Sequence, residues 1–128
     1  MILDTSFVVA AEREARRRVP GATDAFLAVR ANETFLITFT VAGELACGAS
    51  ASALRDWQRL CRPYPVLPWT IDISWQYGEI YRQLQSAGTL IGSNDIWIAA
   101  TALVHGLGVV TRNISEFQRV AGLTVAPF

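Results

Sequence analysis

Apolar positions along this chain fall into short runs and helical stripes, separated by breaks rich in glycine, proline and polar residues. Ile2-Leu3 reads as a short apolar strand that stops at Asp4, and Ser6 to about Glu14 follows as a helix with Phe7, Val8 and Ala11 on its apolar side. Pro20-Gly21 marks a turn. A second helix is predicted from Asp24 to Asn32, and Phe35-Leu36-Ile37 is a buried strand of β-favouring residues. Thr40 is placed to cap a third helix carrying Val41, Glu44, Leu45 and Cys47, which Gly48 weakens or ends, and Ser52 to Leu60 form a fourth. Pro63, Pro65 and Pro68 leave Val66-Leu67 room only for an edge strand. A long amphipathic helix follows from about Ile71 to Ser86, with Ile73, Tyr77, Ile80, Tyr81 and Leu84 at helical spacing and Gly88 closing it. Ser93-Asn94-Asp95 opens an apolar helix through Ile96, Ile98, Ala99, Ala102 and Leu103 that Gly106 stops. Gly108 to Thr111 is then a buried strand, Asn113 to Phe117 a short helical turn, and Leu123-Thr124-Val125 the last strand.

Strands separated by helices in this way predict an α/β fold: one parallel sheet flanked by helices on both faces, in a single domain spanning residues 1–128. Ligands in such sheets sit beyond the carboxyl ends of the strands, so the residues that follow each strand carry the functional information. The composition is 52% hydrophobic with a mean hydropathy of +0.29, yet no apolar run approaches the ~20 residues of a membrane helix. The chain is therefore expected off the membrane, with surplus apolar surface covered in an oligomer or by a partner. Its amino terminus lacks a basic, apolar and small-residue export pattern, which places it in the cytoplasm. Cys47 and Cys61 are too few for a disulfide scaffold or a zinc site and are expected to act as small buried hydrophobes.

Charge sharpens the picture by what it excludes. Arginine supplies all the basic side chains, and these balance the acids to a formal net charge of +0. With no lysine in the sequence, a Walker A phosphate loop, a Schiff-base enzyme and a receiver-type phospho-aspartate site are all excluded. Arg13, Arg16, Arg17 and Arg18 form a basic run just after the first predicted helix, suited to solvent, to phosphate contact or to an acidic partner.

Asp4 follows the first strand, Glu44 lies one turn into the third helix, Asp95 opens the apolar helix, and Thr111, Arg112 and Asn113 follow the strand at 108–111. In a parallel sheet these positions converge on one edge and build an acidic pocket. Convergent carboxylates repel one another unless protons or a cation neutralise them, and an all-oxygen set favours magnesium or manganese over zinc. Ions held there can position a phosphodiester and activate water for its hydrolysis with few other catalytic groups. Each acid also has a plain structural use: Asp4 as a helix N-cap, Asp95 against a helix dipole, and Glu116 in the capping box Asn113-x-x-Glu116. Glu44 is harder to explain that way, because its helical neighbours Val41, Leu45 and Ala46 are apolar and its helix carries no basic residue. The sole histidine, His105, is expected in core packing or at a helix C-terminus, and Trp57, Trp69, Trp75 and Trp97 in core and dimer packing rather than base stacking. A haloacid-dehalogenase-like phosphatase built on Asp4 would need a second aspartate where Ser6 stands, and a lysine.

The stretches Ile2-Leu3-Asp4-Thr5-Ser6, Thr40-Val41-Ala42-Gly43-Glu44-Leu45, Asn94-Asp95-Ile96-Trp97-Ile98-Ala99-Ala100 and Val110-Thr111-Arg112-Asn113-Ile114-Ser115-Glu116-Phe117 resemble, in order and spacing, those of the PIN-domain family, in particular VapC-type toxins. The resemblance implies a PIN fold, cleavage of RNA dependent on Mg2+ or Mn2+, a homodimer, and inhibition by a cognate VapB-type antitoxin whose tail enters the acidic groove. It implies Asp4, Glu44 and Asp95 as the metal-site acids, Thr5 or Ser6 as a hydrogen-bonding support for Asp4, and a structured RNA such as a transfer RNA as substrate. Many members carry Asp near Asn113; here Asn113 would coordinate by its amide or through water, with Glu116 supplying the missing charge. Ser6 stands where many relatives have Asn. Arg13, Arg16, Arg17 and Arg112 are then candidates for RNA phosphate contact. The competing reading, drawn from the fourth position, is a PIN-like RNA-binding or scaffold module that does not cut.

Overall fold

The computed structural model describes residues 1–128, and every strand pair in it is parallel. Strand β1 (Ile2–Leu3) pairs with β4 (Val109–Val110), which pairs with β5 (Val125–Ala126). Strand β2 (Ile37–Thr38) pairs with β3 (Val66–Leu67), and a single bridge between Ile2 and Leu36 joins the two ribbons. The order across the sheet is thus β3-β2-β1-β4-β5, with β3 at an edge as expected from its flanking prolines. Ile2, Leu3, Ile37, Val109 and Val110 are fully buried, as strands covered on both faces must be.

Helices α1 (Thr5–Arg17), α2 (Ala22–Ala28), α3 (Phe39–Ala46), α4 (Leu54–Cys61), α5 (Ile71–Ser86), α6 (Ser93–Val104) and α7 (Ile114–Phe117) complete the fold. Phe7 and Val8 from α1, Val41 from α3, Ile73, Ile80 and Leu84 from α5, and Ile96 and Ile98 from α6 join the strands in one core. The helical periodicity read from the sequence therefore marks the buried faces, except at Tyr81, which stands at the margin of the α5 stripe and is exposed. No helix is long and apolar enough to cross a membrane.

Boundaries differ from expectation where local chemistry is ambiguous. Helix α1 starts at Thr5 and continues to Arg17, so Arg16 and Arg17 lie on the same helix as Arg13 rather than after it. Arginine is a good helix former, and its charge in the last turn complements the helix dipole. Arg18 then ends the helix in the left-handed conformation at φ 54°. Helix α2 begins earlier than predicted because the Gly21 backbone N–H is met by the Asp24 carboxylate, and it ends at Ala28, before the predicted Asn32. The cap of α3 is Thr38, whose hydroxyl accepts from the Val41 N–H at 3.1 Å; Thr40 lies inside the first turn with its buried hydroxyl unpartnered. Consecutive β-favouring residues from Ile37 to Val41 hide this boundary in the sequence. A 3-10 turn, Ala49–Ala51, displaces the start of α4 from Ser52 to Leu54, and the last strand forms at Val125–Ala126 rather than Leu123–Val125.

One minor expectation changes, that for Cys47, and two others resolve between the alternatives offered for them. His105 is the exposed C-cap of α6 and takes no part in the core. Cys61 is buried, but Cys47 is exposed. Trp57 and Trp97 pack against the core, whereas Trp69 and Trp75 are exposed.

Candidate active site

Parallel pairing delivers Asp4, at the end of β1, and Thr111, at the end of β4, to the same edge of the sheet. Asp4 is only 7% exposed, and three donors hold its carboxylate. The Thr5 N–H donates to Oδ1 at 2.7 Å, while the Ser6 and Thr111 hydroxyls each donate to Oδ2 at 2.8 Å. A carboxylate offers about four lone-pair sites, so one remains directed away from these donors. Asp4 is thus both the N-cap of α1 and a fixed acid at the sheet edge; the two readings of the sequence describe one residue.

The supporting hydroxyls are themselves anchored. Thr111 is fully buried and its Oγ1 also accepts the Asn113 N–H at 2.9 Å, while the Ser6 hydroxyl accepts the Arg112 N–H at 3.3 Å. Thr5 behaves differently from Ser6: its hydroxyl donates to Glu44 Oε2, across from α1 to α3. The Asn94 amide donates to the other Glu44 oxygen at 2.8 Å. Because Thr38 caps α3, Glu44 stands deeper in the helix than predicted, on its second turn. Asn94 is a site residue that the sequence reading did not single out. Its only local signal is its place beside Asp95 at the start of α6, and its partner lies 50 residues away.

Asp95 occupies the first turn of α6 and accepts from the Asn113 amide at 3.0 Å. Its carboxyl is pushed up to about 7, first by burial, then by the charge of Asp4, by a hydrogen bond and charge from Glu116, and by Glu44. Glu116 is consequently a neighbour of Asp95. The capping box expected for Asn113 and Glu116 is not formed, since Asn113 makes no side-chain cap and spends its amide on Asp95. This frees both side chains for the pocket.

The geometry brings together Asp4, Glu44, Asp95, Asn113 and Glu116, with Thr5, Ser6, Asn94 and Thr111 as the polar groups that orient them. The acids converge without closing: no three of them stand as a ready-made ligand set. Hydroxyl and amide donors to Asp4, Glu44 and Asp95 offset part of the repulsion, but the charges of Asp4, Glu116 and Glu44 still act on Asp95. An assembly of anionic oxygens and amides, with no histidine or cysteine among them, fits a hard divalent ion.

The arginines divide. Arg13, Arg17 and Arg112 line a groove that opens beside Ser6, whereas Arg16 pairs with Glu12 on another face, which it shares with Asp56 and Arg59.

The PIN domain family model matches residues 1–123. Ribonuclease VapC2 of Rickettsia felis is 30% identical over 97 residues, 72% of each chain. Among solved structures, VapBC2 from Rickettsia felis, crystallised bound to a DNA fragment from their promoter, superposes with a TM-score of 0.81 at 22% identity, covering 99% of this chain and 97% of that one. VapBC-1 from nontypeable Haemophilus influenzae gives a TM-score of 0.79 at 28% identity, covering 98% and 96%. With the family model matching nearly the whole chain and a VapC relative 30% identical over 72% of each chain, the chain belongs to the PIN-domain family, within its VapC group.

Proposed function

We propose that this protein is a metal-dependent endoribonuclease and the toxin of a VapBC-type toxin–antitoxin pair. The observation that carries the reading is the convergence of Asp4, Glu44, Asp95 and Glu116 at one end of the parallel sheet, where hydrogen bonds from Ser6, Thr111, Thr5, Asn94 and Asn113 orient three of them and the neighbouring acids help raise the Asp95 carboxyl. Acids gathered in a partly buried pocket, where burial and mutual charge both oppose ionisation, favour the arrival of positive charge. Ribonuclease activity is the named property of the VapC relatives, which supports RNA as the substrate.

In this reading Asp4, Glu44 and Asp95 hold the ion, with Glu116 as the fourth acid in place of the aspartate many relatives carry near Asn113. Magnesium or manganese, when bound, supplies the positive charge and Lewis acidity that phosphodiester hydrolysis requires. The protein's own groups position that chemistry. Ser6 and Thr111 keep the Asp4 carboxylate in one orientation, Thr5 and Asn94 do the same for Glu44, and Asn113 steadies Asp95. Such support limits how far the acids must move to close on an ion when charge arrives. Glu116 beside Asp95 also argues against the non-cutting alternative, whose premise was a missing fourth acid.

The partner is a VapB-type antitoxin, and the protein pairs with itself as a homodimer. Support comes from the VapBC assemblies it resembles and from the exposed Trp69, Ile71 and Trp75, large apolar side chains that a lone domain has reason to cover. A structured RNA such as a transfer RNA is the proposed target.

The test is cleavage of total RNA by purified protein freed of antitoxin, with manganese or with chelator, for wild type and Glu44→Gln. Metal-dependent cleavage that the substitution abolishes supports the reading. Equal RNA binding with and without chelator, and RNA that is never shortened, overturns it.

A further inference from the structure

The groove beside the acidic edge has a composition that hydrolysis alone does not require. Its volume is about 330 Å³, and Ser6, Val9, Ala10, Arg13, Glu14 and Arg17 of α1 line it with Arg112. Those α1 positions recur every three or four residues, so they form one stripe running the length of the helix away from Asp4. Arg13 and Arg17 stand one turn apart, about 6 Å along the axis, which is comparable to the step between neighbouring phosphates of an RNA strand. None of the three arginines is in an ion pair, while Arg16, Arg30, Arg59 and Arg82 all are.

The one acid in the groove, Glu14, is committed elsewhere: its carboxylate accepts from the Thr23 hydroxyl and from the Thr23 N–H at 3.2 Å, tying α1 to α2. Arg112 is held in place from two sides. Its backbone N–H bonds to Ser6 Oγ, and its guanidinium lies over the Phe128 ring at 4.7 Å from the centroid. Ser6 also bonds to Asp4, so the groove meets the acidic site through a single side chain.

We propose that Arg13, Arg17 and Arg112 form a phosphate track on α1 that binds the RNA strand flanking the cleavage point. The choice of RNA as ligand rests on the ribonuclease reading above; the anion-binding character rests on the groove itself. Unpaired guanidiniums in a row bind phosphates irrespective of base, so the track contributes affinity and register rather than sequence choice. Arg16, despite its place in the same run, takes no part.

The test is fluorescence anisotropy of a labelled 12-nucleotide oligouridylate in chelator, where no cleavage occurs, against wild type, Arg13→Gln/Arg17→Gln, Arg112→Gln and Arg16→Gln. The double variant is expected to bind about tenfold more weakly, and the slope of log affinity against log salt to fall by about 1.4, at ~0.7 for each phosphate that is no longer neutralised. Arg112→Gln weakens binding in the same direction, and Arg16→Gln stays within about twofold of wild type. These side chains are exposed at the surface, and unchanged melting curves confirm that the variants fold. An unaffected double variant, an equally impaired Arg16→Gln, or no binding by wild type overturns the proposal. So does tighter binding of labelled hexaglutamate with the same arginine dependence, which would assign the groove to an acidic peptide. Parallel assays of wild type with manganese separate the two claims. Arginine-dependent binding without cleavage leaves the track standing and removes the nuclease; cleavage with arginine-independent binding does the reverse.

Discussion

Replacing Asp95 with asparagine is expected to destroy metal binding and at the same time make the metal-free protein more stable. The side chain keeps its shape, and its amide oxygen still accepts from Asn113, now at 3.0 Å from Asp95. What disappears is a charge that burial, Asp4, Glu116 and Glu44 all oppose. The carboxyl moves from 3.8 to about 7, which at ~1.4 kcal/mol per pKa unit sets a ceiling of about 4 kcal/mol. Asp95 is only partly buried, so solvent screening reduces the effect to about 1–2 kcal/mol. The sign follows from proton linkage. The folded state binds this proton more tightly than the unfolded chain, so the wild type holds its full stability below about pH 4 and loses it as pH rises through about 7. Taking ~2.1 cal/mol/K of unfolding entropy per residue, the gain in Asp95→Asn amounts to a melting temperature about 4–8 °C higher at pH 8, and little change at pH 4. Differential scanning calorimetry in chelator measures both. A variant less stable than wild type at pH 8, or an equal gain at both pH values, would refute the idea that repulsion shapes this site.

Two further predictions concern the supports. Thr111→Val removes a buried hydroxyl that bonds both Asp4 and the Asn113 N–H, and should cost about 1–3 kcal/mol in urea unfolding together with a lower rate of RNA cleavage. Unchanged cleavage would show that the Asp4 orientation is immaterial. Thr38→Ala deletes the α3 cap and should cost about 0.5–2 kcal/mol, whereas Thr40→Ala, at the position the sequence favours, should cost nothing or stabilise, because its hydroxyl is buried without a partner. Chemical denaturation of the two variants side by side decides which threonine caps the helix.

The contrast between these threonines shows what the sequence discloses and what it conceals. Asp4, Glu44 and Asp95 were legible because each follows a strand or sits near a helix start, and parallel strands must bring those places together. The buried faces of α5 and α6 were legible for the same kind of reason, since helical spacing is a local signal. Strands here are two residues long, so pairing rather than pattern sets their limits, and β-branched residues running from strand into helix obscure the cap. Partnerships were least visible. Asn113 and Glu116 form a plausible local capping box, yet in the fold both turn to Asp95, and Asn94 earns its role only from a glutamate on another helix. The arginine run was visible as charge, but only the continuation of α1 through Arg17 separates Arg13 and Arg17 from Arg16.

The central claim, that the acidic edge is a metal site that cuts RNA, is most directly tested by calorimetric titration of manganese and magnesium into wild type and Asp4→Asn, paired with cleavage of total RNA by the same samples. Saturable binding and cleavage in the wild type, both lost in the variant, is the predicted result. A wild type that binds neither ion would contradict it, leaving Asp4 as the cap of α1 and its acidic neighbours as members of a hydrogen-bonded network alone.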